Sequence, residues 1–318
     1  MKNILTPLIL FVYFIFNFAS PTYATPVGLS VDPPLLKIQI KPGKSITKSF
    51  KVENIEDTDK SLVVRLIPFN KSDHLGNPVI DLKNRAPWLS YFGLSNSNIK
   101  LDEPFLLKAH SVNQIILSLA VPEDANLEDI YVTLLISTYD NNLTADQKGT
   151  LISASIGANI LATITSDLNP TTLLKIDKII PLSGSFLKLG SRYFADNLSP
   201  LTFSAIALNN GLFITETKGT FKVLKKSIVL QLQGILPQYV LAKGSRLLIG
   251  NDGNPFSFSP SLSTIGTHTI TIDIKSDNSN TSNSIEVFFL PFKASLALLL
   301  SLFIIKIIFS VANKKSHD

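Results

Sequence analysis

The chain has 318 residues, 45% of them hydrophobic and 17% charged, which is enough for two domains of ordinary size and too apolar for a disordered regulator. It has no cysteine and only four histidines (His74, His110, His268, His317), which removes disulfide frameworks, thiolate metal sites and Cys nucleophiles and leaves little for a His-based metal centre. A net charge of +5, from 29 Lys and Arg against 24 Asp and Glu, invites a nucleic-acid reading until the charges are placed along the chain.

Residues 1–24 open with Lys2, continue through an apolar run from Ile4 to Phe18, and end in Thr22-Tyr23-Ala24, with small residues where signal peptidase reads. This pattern predicts a signal peptide cleaved after Ala24. From 25 to 287 the pattern is one of short β-rich runs separated by turn signals, among them Lys41-Pro42-Gly43, Asn209-Asn210-Gly211 and Asn251-Asp252-Gly253-Asn254. Ile115, Leu117, Leu119 and Val121 share one parity. So do Ile228, Leu230 and Leu232, and His268, Ile270, Ile272 and Ile274. Each set is expected to face a core, with its polar alternates in water. Leu62–Ile67 and Tyr131–Ile136 are apolar on both parities and suit central strands. The expected architecture is all-β: two tandem Ig-like antiparallel β-sandwich domains over 25–166 and 167–287, divided near Ser166–Pro170. Tyr131 and His268 each place a ring just after a turn at the head of a late strand, a faint internal echo.

Residues 288–312 are apolar apart from Lys293, Lys306 and a few serines, and predict one transmembrane helix followed by a cytoplasmic tail over 313–318. Lys293 would flank the outer interface, and Lys306, Lys314 and Lys315 the inner one, as the positive-inside rule expects. The expected location is therefore the cell membrane, single-pass, with the ectodomain outside. Five of the 29 basic residues and one of the 24 acidic ones belong to these ends, leaving 24 basic and 23 acidic residues over 25–287. A near-neutral ectodomain has no basic stripe for phosphates, so nucleic acid is not expected as a partner.

No G-x-S-x-G elbow is present and no histidine has an evident partner acid, so no catalytic residue is assigned and an enzyme is not expected. No cofactor or metal is expected either. The loops Glu56–Asp59 and Asn251–Asn254 lack the carboxylate density of a calcium site. The aromatic cluster Trp88, Tyr91 and Phe92 is the one candidate ligand-binding set, since rigid rings serve as stacking platforms, although such clusters more often pack against a core.

The order of elements, with VGLSVDPPLLKIQIKPGKSITKSFKVEN opening the first sandwich, DHLGNPVI in a loop, LTFSAIALNNG and ILPQYVLAKGSRLL in the second, and then one apolar helix and a lysine tail, resembles the bacterial cell-surface proteins known as WxL-interacting proteins. The resemblance implies a first domain associated with peptidoglycan and a second associated with host or partner binding. It carries over no ligand-contacting position. The expected function is a non-catalytic, membrane-anchored surface protein that binds cell-wall polymer or another surface protein. The alternatives are an envelope hydrolase or a pilus-chaperone-like assembly factor, the last of which would expose a long edge strand.

Overall fold

The computed structural model describes residues 28–81, 83, 85–139, 155–167, 170–190, 192–276 and 279–315. The signal peptide expected over 1–24, with its cleavage site after Ala24, lies outside the described residues.

The first half contributes nine strands: β1 (Leu29–Asp32), β2 (Leu35–Ile40), β3 (Ser45–Asn54), β4 (Lys60–Phe69), β5 (Phe92–Leu94), β6 (Pro104–Leu107), β7 (Val112–Ala120), β8 (Asp129–Thr138) and β9 (Ser155–Ile164). They form a sheet ordered β1-β3-β7-β5 and a second ordered β2-β9-β8-β4-β6. The alternation in β7 acts as its sequence requires: Ile115, Leu117 and Leu119, with Val121 just beyond, are all buried in the core between the sheets. Pro33 and Pro34 have no N–H to donate, so the ladder with β3 stops at Asp32 and the chain crosses to the other sheet. There β2 pairs in parallel with β9, a departure from the all-antiparallel expectation.

The second half contributes ten: β10 (Leu174–Ser183), β11 (Phe186–Leu189), β12 (Arg192–Asp196), β13 (Leu201–Asn209), β14 (Thr215–Lys225), β15 (Ile228–Val240), β16 (Ser245–Leu248), β17 (Phe256–Phe258), β18 (Gly266–Lys275) and β19 (Asn280–Leu290). One sheet runs β10-β13-β16 with β17 also on β13, and the other runs β11-β12-β19-β18-β14-β15. A second parallel pair, β12 with β19, repeats the strand switch of the first half. Ile270, Ile272 and Ile274 fill this core with Phe203, Phe221 and Phe256, and the rings of the last two stack at 4.8 Å.

The two halves repeat one polar device. At the end of β3, the fully buried Asn54 donates through Nδ2 to the carbonyls of Thr58, Leu107 and Lys108, while its Oδ1 accepts the Glu56 amide. At the end of β13, Asn209 donates to the carbonyls of Phe213, Val240 and Leu241 and accepts the Gly211 amide. The following residues, Ile55 and Asn210, each donate back to the segment before the first strand of their half, at Gly28 and Leu173. A short amide side chain meets four backbone groups that a sandwich corner would otherwise bury without partners.

Between the halves lies a small apolar cluster of Phe69, Tyr131 and Leu161 against Ile214 and Leu241, with Tyr239 packed beside it. Asp129 sits at its edge and accepts Tyr131 Oη (2.6 Å), Thr163 Oγ1 (2.7 Å) and the amide of Ile214 from the second half. Burial pushes its carboxyl above the usual carboxylate range, against the pull of these donors and of Lys37. Tyr131 Oη in turn accepts the Ala242 amide, and Leu247 N–H donates to His74 O. Tyr131 thus reaches back to a side chain and across to the other half, whereas His268 Nδ1 lies 3.0 Å from its own Gly266 carbonyl.

The helix α1 (Phe292–Lys315) starts where the Lys293 amide faces Asp196 Oδ1, an acid at a helix N-terminus. Among the described residues no helix is both long and apolar enough to cross a membrane, which overturns the expected single-pass anchor, its location in the cell membrane and the membrane as a partner. Lys293 and Lys306 interrupt the apolar run of α1. Lys293 Nζ lies 3.5 Å from Ser199 Oγ, Lys306 is exposed, and the side chains of Lys314 and Lys315 lie outside the described residues.

Candidate functional site

The strand that departs most from its sequence expectation is β15. Ile228, Leu230 and Leu232 are 68%, 47% and 60% exposed, and Val229 is 50% exposed. The register explains the inversion. Gln231 and Gln233 stand opposite Val223 and Phe221, both fully buried, while Leu232 stands opposite Lys222. The glutamines therefore take the core side of this edge, where Gln231 Nε2 reaches the Ser257 carbonyl. Leu232 takes the outer side. Period-two alternation divides a strand into two faces but does not say which one is covered.

β15 ends its sheet, and its two halves differ. From Gly234 onward its outer edge is occupied: Asn251 N–H donates to Gly234 O, and Leu236 N–H to Ile249 O. Along a strand, alternate residues direct N–H and C=O to the same side, so the backbone of Leu232 also faces this edge, but no described strand lies beyond it. A bulge at Leu230, left over between the pairs Val223–Gln231 and Leu224–Val229, twists the last residues before the Lys225–Ile228 end. The result is an open edge about six residues long with exposed apolar side chains along it.

The first half provides an internal comparison. There the strand that pairs with β4 and leads to the carbonyls of Leu107 and Lys108 is β6, four residues long. In the second half the strand that pairs with β14 and leads to the carbonyls of Val240 and Leu241 is β15, thirteen residues long. The framework closes with the shorter strand, so the extra length of β15 is not required by the corner it serves.

The candidate rings lie elsewhere. Phe92 is buried in the first core, with Trp88 and Tyr91 packed against it, and the Trp88 and Phe92 rings meet edge to face at 6.2 Å. Trp88 also borders a cavity of about 310 Å³ at the junction, with Asp129, Tyr131 and Lys243. The acidic loops serve their own turns: Glu56 accepts the Gly28 amide and pairs with Lys60, and Asp252 accepts the Asn254 amide. Among the described residues no three His, Asp or Glu side chains converge on a metal-sized site. Sequence reasoning did not find the edge, although the unusual neighbours of its leucines, Gln231 and Gln233, were in plain view.

No protein-family model and no curated protein matches the chain. Among solved structures, the complex of CsuC with the tip adhesion subunit CsuE, from the archaic chaperone-usher pili of Acinetobacter baumannii, is similar at 12% identity and a TM-score of 0.37, over 84% of this chain and 100% of that one. The E. coli chaperone DraB is similar at 9% identity and a TM-score of 0.36, over 81% and 96%. A PapD-like domain of human CEP192 matches 46% of this chain and 93% of its own at 12% identity and a TM-score of 0.31. None is close enough to transfer a partner or an activity.

Proposed function

We propose that the protein is a non-catalytic binding module that takes an extended segment of another polypeptide as an added strand along the open half of β15, acting as an assembly factor for that partner. The observation that carries this reading is the pairing of an open backbone edge with exposed apolar side chains at Ile228, Leu230 and Leu232. Main-chain groups at an edge are satisfied best by another strand, and the exposed side chains give that strand apolar contacts. The most deeply held carboxylate at the junction, Asp129, has its oxygens engaged by Tyr131, Thr163 and Ile214, which fits a structural tie between the halves better than an acid-base role.

The test uses the full chain and a labelled peptide of about ten residues alternating Val and Thr, followed by fluorescence anisotropy. Leu232→Pro removes one outward N–H, a change edge strands tolerate. It is expected to weaken binding at least about tenfold, with Leu232→Val retaining it. Equal binding by both variants, with unchanged circular dichroism, refutes strand addition at this edge.

A further inference from the structure

A strand lying along Ile228–Leu232 cannot continue in the plane of the sheet. The segment ending at Asn251 closes the edge from Gly234 onward, and the fit is tight enough that a Cβ on Gly234 would lie 2.2 Å from Asn251 Nδ2. The inner side is filled core, so the continuation must rise over the outer face. There, starting at Leu232, a groove of about 640 Å³ crosses Gly219 and Lys222 on β14 and reaches Asp273 and Lys275 on β18.

The charges of this groove are unbalanced. Lys218 stands directly opposite Lys275 in the β14–β18 register, and like charges in facing positions destabilise a sheet. Both are exposed. The nearby acid, Asp273, pairs with Lys222 at 2.8 Å and also feels the charge of Lys275, so one carboxylate serves a cluster of three lysines. The apolar lip at Leu232 thus leads to a groove lined by Lys222 and Lys275, with the exposed Lys218 opposite Lys275 in the register at its margin.

We propose that this groove receives the acidic flank of the docked segment, so that the partner is a short run of alternating apolar residues followed, at its end nearest Gly234, by aspartate or glutamate reaching Lys218 and Lys275. This deepens the strand-addition reading and rests on it. The carboxylate relieves the Lys218–Lys275 repulsion only when bound, so the two lysines select the partner's sequence.

The experiment compares three labelled peptides on the full chain, each with the same alternating Val/Thr run of about six residues and flanked at both ends by Asp-Asp, Ser-Ser or Lys-Lys. The Asp-flanked peptide is expected to bind about five- to tenfold more tightly than the Ser-flanked one at low salt, and the Lys-flanked one more weakly than either. The preference should shrink as salt rises to about 0.5 M. Lys275→Glu, at an exposed position, should abolish the preference and leave the Ser-flanked affinity unchanged. Equal affinity for the Asp- and Ser-flanked peptides, or a preference that survives both Lys275→Glu and Lys218→Glu, overturns the groove assignment while strand addition stands. Failure of all three peptides to bind overturns strand addition itself and this assignment with it.

Discussion

Replacing Leu232 by threonine should cost little stability, whereas truncating a buried side chain two strands away should cost much. Leu232 is 60% exposed, so about two fifths of its burial is at stake. Of the roughly 2 kcal/mol that burying a leucine supplies, that is about 0.8 kcal/mol, and threonine recovers part of it as a good strand former. Ile272, on β18, is fully buried against Phe221 and its neighbours, and Ile272→Ala should cost about 2–5 kcal/mol. Urea unfolding of the full chain by far-ultraviolet circular dichroism measures both. A cost above about 2 kcal/mol for Leu232→Thr would refute the reasoning, because the side chain would then be part of the native packing and not available to a partner.

Asn54→Ala and Asn209→Ala should each cost about 2–4 kcal/mol in urea unfolding, because each strands several buried backbone groups; a large inequality between them would contradict the equivalence of the two corners. Gly219→Ala should destabilise the second half by about 1–3 kcal/mol in the same assay, since its Cβ would meet the Asp273 carbonyl oxygen at 2.0 Å. Asp129 has a raised carboxyl in the folded state, so its contribution is fully present below the unfolded value near 3.8 and is lost as pH rises through the folded value. The stability of the native chain relative to Asp129→Asn should therefore fall with rising pH across the acid range in parallel urea titrations, and a rise would refute the assignment.

Much of the fold is written locally. The parity of Ile115–Val121 and of Ile270–Ile274 predicts buried faces because both strands lie inside sheets, where any apolar face finds a partner. The same pattern misleads at Ile228–Leu232, since an edge strand with no neighbour on one side can turn its leucines outward and its glutamines inward. Asn209 was legible only as part of a turn, and Asn54 carried no local signal of its role. Their carbonyl partners lie up to 54 positions away and become neighbours through folding alone. The link from Asp129 to Ile214 spans 85 positions, and no local spacing announces it. Hydropathy read over 288–312 pointed to a membrane anchor, and the helix described there does not meet that length and apolarity.

The central claim is that the open half of β15 accepts a strand. Its most direct test is an isotope-filtered nuclear Overhauser experiment on deuterated, methyl-labelled chain bound to the alternating Val/Thr peptide. Contacts from the Leu232 amide and from the Ile228, Leu230 and Leu232 methyls to successive peptide residues are the predicted result, while contacts confined to any other face, with these four groups unperturbed, would contradict it.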